Sequence, residues 1–220
     1  MTGVDGCRGG WVAVDLDAGG FAGLRVAPSL AALLQDVAPG QVVGIDMPLG
    51  LLGGGWRAAD AEARRLLGRR RSSVFLIPPR PVWQEPRYAA ASERCRALTG
   101  KGLSVQAWGL RRKLLEADEY RLRGRCRLHE VHPELSFQVM AGAPLRHGKH
   151  IPAGRAERYR ILAAAGIVIP AGAALRAVAA DALDAAAVAW TAQRIAGGQA
   201  RTLPDPPQRD EHGYEIAIHS

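Results

Sequence analysis

The segment GVDGCRGGWVAVDLDAGGFAGLRVA (residues 3–27) carries the strongest fold signal in this 220-residue chain. Short apolar runs alternate in it with glycine-rich turns, so it predicts three successive strands joined by tight connections. The first strand begins at Val4, the second covers Trp11 to Leu16, and the third covers Phe21 to Val26. Such short connections predict an antiparallel meander, because a parallel crossover needs a dozen residues or more.

A helix and a fourth strand follow the meander. Apolar residues recur at helical spacing from Leu30 to Val37, and Ser29 is suited to the N-cap. The unbroken apolar run Val42–Ile45 then predicts a strand buried on both faces, with Asp46 at its end. A meander, a crossover helix and a parallel strand are the opening of the ribonuclease-H-like fold, an α/β architecture whose mixed central sheet is flanked by helices. A Rossmann fold would instead place a helix directly after its first strand.

The rest of the chain alternates between helical patterns and loops. We expect helices at 56–67, 105–122, 155–165 and 180–196, strands at 127–131 and 214–218, and an irregular loop at 69–86. Pro133 is expected to stop the strand that precedes it. The prediction is a single domain, residues 1–220, with a helical and loop insert at roughly 55–125.

Composition narrows the class of protein. The net charge is +8, from 29 Lys and Arg against 21 Asp and Glu, and arginine dominates. Arginine suits phosphate oxygens, so a nucleic-acid partner is permitted, although a GC-rich gene would also enrich arginine. The sequence contains no run of about 18 apolar residues, so no membrane span is predicted, and no secretory signal is recognised. The cysteines Cys7, Cys95 and Cys126 are far apart in the sequence, which suits reduced thiols. We expect a cytoplasmic protein without a membrane partner, and a homo-oligomer is one of the states left open.

Five segments of the chain resemble a family of uncharacterised predicted ribonuclease-H-like nucleases, the domain-of-unknown-function family number 429. They are Gly3–Trp11 (GVDGCRGGW), Ile45–Gly50 (IDMPLG), Leu67–Phe75 (LGRRRSSVF), Glu130–Glu134 (EVHPE) and Asp181–Ala185 (DALDA). The resemblance implies the fold and a nuclease activity that the family's label takes from that fold. Similar proteins tend to carry two adjacent acids where this chain has Ala180–Asp181.

Four aspartates are candidates for a metal site. Asp5 lies on the first strand and Asp46 at the end of the fourth, and these strands are neighbours in this architecture. Asp181 and Asp184 share a helix face because they are three residues apart. Converging carboxylates repel one another unless a cation is present. Carboxylate oxygens favour Mg²⁺ or Mn²⁺, and two such ions can activate water for phosphodiester hydrolysis.

Each acid also has a structural interpretation. Asp5 could serve the turn at Gly6, and Asp46 could cap the turn that follows it. Asp181 could satisfy the helix dipole, and for this residue the two interpretations weigh equally. For Asp184 we favour the functional interpretation over a structural one, because helix interiors do not favour aspartate.

The EVHPE segment supplies further candidates. Glu130, His132 and Glu134 would share one face of a strand. Glu130 is predicted as a metal ligand and catalytic residue, and His132 as a proton shuttle. A histidine bonded to the backbone is an equally good interpretation of His132.

An arginine run is the candidate phosphate-binding segment. Its members are Arg69, Arg70, Arg71, Ser72 and Ser73, and Lys101 and Arg80 are possible extensions of it. The alternative is ordinary solvated surface. We expect the run to close over the acidic residues.

Three functions are compatible with this sequence. The first is a metal-dependent nuclease in which Asp5, Asp46, Glu130 and Asp184 are catalytic. The second is a nucleotide-binding phosphotransfer enzyme of the same superfamily, and the third is a non-catalytic nucleic-acid-binding protein. Mg²⁺-dependent cleavage, nucleotide hydrolysis, or binding without either activity would separate them.

Overall fold

The computed structural model describes residues 1–170 and 179–220. The strands are β1 (Thr2–Cys7), β2 (Gly10–Asp17), β3 (Gly20–Ala27), β4 (Val42–Asp46), β5 (Arg127–Glu130), β6 (Thr202–Arg209) and β7 (Glu215–His219). The helices are α1 (Leu30–Leu33), α2 (Ala58–Leu67), α3 (Arg80–Gln84), α4 (Tyr88–Thr99), α5 (Val105–Gly109), α6 (Arg111–Leu122), α7 (Pro133–Ala141), α8 (Pro152–Ala164) and α9 (Ala179–Ala196). A 3-10 helix covers Gly68–Ser73. Among the described residues, no helix is both long and apolar enough to cross a membrane.

A five-stranded mixed sheet organises the first part of the chain. Its strand order is β3-β2-β1-β4-β5. β1, β2 and β3 pair antiparallel, whereas β4 pairs parallel with both β1 and β5. The predicted mixed α/β class, with a central mixed sheet and flanking helices, is confirmed. The predicted helix after the meander is a single turn, which Ser29 caps by accepting a hydrogen bond from the Ala32 backbone N–H.

Two compact units divide the chain. The first consists of Met1–Met47, Arg123–Arg201 and His219–Ser220, and the second of Pro48–Leu122 and Thr202–Ile218. In the first unit, α9 packs on β1, β2 and β4. In the second unit, α2 packs on β6 and α3 packs on α4.

Two glycines allow α9 to lie very close to the sheet. A Cβ atom on Gly3 would lie 2.1 Å from the Ala189 backbone nitrogen, and one on Gly44 would lie 2.8 Å from Val188 Cγ1. Both distances are shorter than real contacts allow. The small residues of α9 and these two glycines therefore permit a helix-to-sheet distance that larger side chains would prevent.

The structure corrects several predicted elements of the second unit. The predicted helix at 105–122 is two helices, α5 and α6, which are separated at Leu110 after Gly109, a poor helix former. The expected loop at 69–86 contains the 3-10 helix and α3, whose first turn accepts Pro81 because the missing N–H would be unpaired there in any case. Strand β6 was not predicted because it contains three prolines.

The segment after β5 also differs from the prediction. Pro133 does not merely stop a strand, because it occupies the first turn of α7. Proline is favoured at that position, since its fixed φ suits a helix and its missing N–H has no partner to lose. The prediction that Glu130, His132 and Glu134 alternate along one strand is therefore wrong. Glu130 ends β5, His132 is the N-cap of α7, and Glu134 lies in the first turn of that helix.

Candidate metal centre

Two aspartates lie on neighbouring strands near the middle of the five-stranded sheet, Asp5 two residues before the end of β1 and Asp46 at the end of β4. Asp5 on β1 lies directly opposite Asp46 on β4 in the parallel register. Residues paired in this way project to the same face of a sheet. Asp5 is buried and Asp46 is half-buried. The predicted placement of these two residues side by side is confirmed.

A third carboxylate reaches the same point from α9. Asp184 is buried, and one carboxylate oxygen from each of Asp5, Asp46 and Asp184 lies within 4.8 Å of the other two. We call these three residues the acidic cluster. The face that carries Asp5 and Asp46 is also the face that carries Gly3 and Gly44, where α9 docks. The expectation that Asp184 faces the same cleft as the two strand residues is confirmed, whereas metal binding there stays a prediction.

The acidic cluster is electrostatically strained. Burial, together with the charges of Asp46 and Asp184, raises the pKa of Asp5 well above its ordinary value. Burial and the neighbouring carboxylates raise the pKa of Asp46 to about 7, although Lys149 opposes this shift. In the absence of another cation, the cluster therefore retains protons that ordinary aspartates lose near pH 4.

Lys149 is a residue of this site that sequence analysis missed. Its Nζ lies 2.5 Å from Asp184 Oδ2, and its side chain is 33% exposed. Burial alone would lower the pKa of Lys149, but the carboxylates of Asp184, Asp5 and Asp46 outweigh burial and raise it. The chain contains only three lysines against 26 arginines. That sparing use of lysine is the one sequence signal that could have drawn attention to position 149.

A buried aspartate in the second unit provides a contrast. Asp118 is 3% exposed, and its two oxygens lie 3.0 Å from Arg80 Nη1 and 3.2 Å from Arg121 Nη2. This carboxylate therefore has two guanidinium partners, so its burial is compensated within the protein. Arg80 is accordingly committed to an internal ion pair, which argues against its predicted contribution to phosphate binding. The acidic cluster differs because three carboxylates converge with one lysine.

Asp181 lies at the edge of the site. It is half-buried in the first turn of α9, one turn before Asp184. Burial is the largest cause of the raised pKa values of Asp5 and Asp46, and the charge of Asp181 makes a smaller contribution. Its carboxylate lies outside the acidic cluster, so its role as a ligand stays a prediction.

The structure separates Glu130 from the acidic cluster. Glu130 pairs with Ile45 in the register between β4 and β5, so it projects to the face opposite Asp46. This register corrects the expectation that Glu130 joins Asp46 in a shared site. His132 is half-buried at the start of α7, and its role as a proton shuttle stays a prediction.

Glu134 lies closer to the site than Glu130 does. Its charge is among those that raise the pKa of Asp46, after burial and Asp184. Its Oε1 lies 2.5 Å from Nη2 of Arg158, whose side chain is 1% exposed. This ion pair gives Glu134 a buried guanidinium partner.

The predicted phosphate-binding residues all belong to the second unit. Arg69, Arg71, Ser72 and Ser73 are exposed in the 3-10 helix, Arg70 is half-buried there, and Lys101 is exposed after α4. The Ser73 hydroxyl donates to the Arg70 carbonyl oxygen at 2.9 Å, so it stabilises the local turn. Their binding of phosphate, and closure over the acidic cluster, stay predictions.

One family comparison matches this chain. A family described as "Protein of unknown function (DUF429)" matches residues 3–209. The match includes the acidic cluster, Lys149 and the arginine run. No curated protein and no solved structure matches the chain.

Proposed function

The chain belongs to the DUF429 family, whose function is unknown, and from its own residues we propose that it is a divalent-metal-dependent phosphodiester hydrolase of ribonuclease-H-like fold that acts on nucleic acid. Asp5, Asp46 and Asp184 hold the metal in this proposal. The observation that carries it is the convergence of their oxygens within 4.8 Å in a largely buried setting.

The residues present fit a hard divalent cation. The donors are carboxylate oxygens, which Mg²⁺ and Mn²⁺ prefer over the nitrogen and sulfur ligands of zinc sites. The raised pKa values of Asp5 and Asp46 have burial as their first cause, followed by charges that include the neighbouring carboxylates. A cation in the cluster would reverse the effect of the carboxylate charges and favour the ionised forms.

Hydrolysis at such a site needs a bound cation and carboxylates that are held in fixed positions. Bound metal supplies charge stabilisation and a water of lowered pKa. In the reaction, the water oxygen bonds to phosphorus and gives up a proton, the bond from phosphorus to the leaving oxygen breaks, and the leaving oxygen takes up a proton. The acidic cluster holds the cation, and α9 and the two strands fix the positions of the carboxylates.

The sheet topology supports the proposed fold. The order β3-β2-β1-β4-β5, with an antiparallel meander followed by two parallel strands, agrees with the ribonuclease-H-like expectation. Asp5 and Asp46 lie on the two neighbouring strands at which a site is expected in that architecture. This agreement favours the ribonuclease-H-like fold over other α/β folds.

The distribution of charge supports a polyanionic substrate. Residues 48–122 contain 15 Lys and Arg and 7 Asp and Glu, so their net charge is 15 − 7 = +8, equal to that of the whole chain. The arginine run lies in this segment and could contact phosphates, which position a nucleic acid without reading its sequence.

The direct test is cleavage of fluorescent RNA, DNA and hybrid substrates in 5–10 mM Mg²⁺ or Mn²⁺, with EDTA as the metal-free control. We expect metal-dependent cleavage that Asp46→Asn reduces by at least about 100-fold, or about 2.7 kcal/mol of transition-state stabilisation. Asp36→Asn is the matched control, because Asp36 is an exposed aspartate of the same unit. Equal activity of wild type and Asp46→Asn, or full activity in EDTA, would contradict the proposal. Nucleotide hydrolysis without nucleic-acid cleavage would favour the phosphotransfer alternative.

A further inference from the structure

The segment that carries Lys149 is anchored firmly to α8. The backbone N–H groups of Arg146 and His147 donate to the two carboxylate oxygens of Glu157 at 2.8 and 2.9 Å. The His147 carbonyl oxygen accepts a hydrogen bond from the buried Arg158 at 3.2 Å. These contacts fix the chain two residues before Lys149.

A glycine provides a further close contact in the same place. A Cβ atom on Gly154 would lie 1.9 Å from the Gly148 carbonyl oxygen, so only glycine allows this approach between the loop and α8. The loop backbone is thus held at three consecutive residues directly before Lys149. The fold thus fixes the backbone position from which the Lys149 side chain extends.

From this anchored loop, Lys149 reaches the acidic cluster. Its ammonium group contacts Asp184 Oδ2 at 2.5 Å, and the same carboxyl group belongs to the cluster of three. Three ionised carboxylates carry a charge of −3, and Lys149 reduces the total to −2. One divalent ion neutralises that remainder, whereas two would leave the centre with an excess positive charge beside the ammonium group.

We propose that Lys149 takes the place of a second metal ion, so that the acidic cluster binds one divalent cation rather than two. This inference rests on the proposed function and specifies the composition of its metal centre. In two-metal hydrolases, one ion assists the attacking water and the other stabilises the leaving oxygen. An ammonium group offers a positive charge and three N–H donors, which suit the second of these tasks.

The test is the number of Mn²⁺ ions bound by the full-length protein, measured by equilibrium dialysis and by the loss of the free Mn²⁺ signal in electron paramagnetic resonance. We expect one ion per wild-type chain and one per Lys149→Arg chain, because both retain the cation. Lys149→Gln should bind two. Lys113→Gln is the control, because this lysine belongs to the other unit, and it should bind one.

The outcomes separate this inference from the proposed function. Two ions in the wild type, or one ion in Lys149→Gln, would overturn the inference and leave the metal-dependent hydrolase intact. Binding to Lys149→Gln but not to wild type would also overturn it, because Lys149 would then exclude metal. No Mn²⁺ on any variant at 10 mM would refute the metal centre itself. Lys149→Met, which keeps the length of the aliphatic chain, replaces Lys149→Gln if that variant unfolds.

Discussion

Removing one carboxylate from the acidic cluster should stabilise the metal-free protein. Asp46→Asn is the chosen change, because burial and neighbouring charges raise the pKa of Asp46 to about 7 from an ordinary 3.8. A raised pKa means that the folded state binds the proton more tightly than the unfolded state. The contribution of Asp46 to the free energy of unfolding is therefore largest below pH 4, falls as the pH rises towards 7, and is lowest above pH 7.

The shift sets the size of the effect. Three pKa units correspond to about 4 kcal/mol, at about 1.4 kcal/mol per unit, which is an upper bound for a half-buried group. In EDTA at pH 8, Asp46→Asn should raise the free energy of unfolding by roughly 1–4 kcal/mol. At pH 4 the difference should nearly vanish, because Asp46 is then protonated in the folded wild type.

The assay is urea unfolding followed by tryptophan fluorescence at pH 4, 6 and 8. Asp36→Asn, a change at an exposed position, should follow the wild type at every pH. Mn²⁺ at 100 times its dissociation constant should add about 2.7 kcal/mol to the wild type and much less to Asp46→Asn. Lower stability of Asp46→Asn than of the wild type at pH 8 in EDTA, or an advantage that does not depend on pH, would show that the Asp46 carboxylate is not destabilised by its surroundings.

Three further predictions concern the rest of the molecule. Burial, with smaller contributions from nearby positive groups, lowers the pKa of His129 to about 4. The folded protein should therefore lose stability as the pH falls from 6.5 to 4. In urea unfolding, His129→Gln should remove up to about 3 kcal/mol of that loss. Gly3→Ala should destabilise the protein by at least about 3 kcal/mol, because its methyl group would overlap α9, whereas Gly23→Ala should change stability by less than about 1 kcal/mol. Replacing Arg70 and Arg71 together by alanine should weaken binding to a short duplex and reduce the slope of log K against log salt by up to about 2.

Each of these predictions has an opposing result. An unchanged acid profile for His129→Gln would mean that its imidazole titrates normally in the fold. Equal stability of Gly3→Ala and Gly23→Ala would mean that α9 can move away from the sheet at little cost. An unchanged salt slope would show that the arginine run is ordinary solvated surface.

Local sequence signals are sufficient to predict the sheet that carries the site. Residues 3–46 contain short apolar runs, turn glycines and one capped helical turn, and these local signals are strong because each depends on neighbouring residues. They predicted the meander, the parallel strand and the side-by-side placement of Asp5 and Asp46. Asp184 could be predicted because an aspartate inside an apolar helix is costly without a partner.

The residues that complete the site depend on contacts between distant segments of the chain. Local pattern could not assign Glu130 to the opposite face, since that depends on the register with β4 and on where β5 ends. Pro133 both ends an extended segment and begins a helix, and only the packing of the following residues distinguishes the two. Lys149 lies 35 residues from its partner Asp184, in a loop whose position depends on hydrogen bonds to α8. An ion pair of this kind leaves no periodic pattern in the sequence, because it arises from three-dimensional proximity alone.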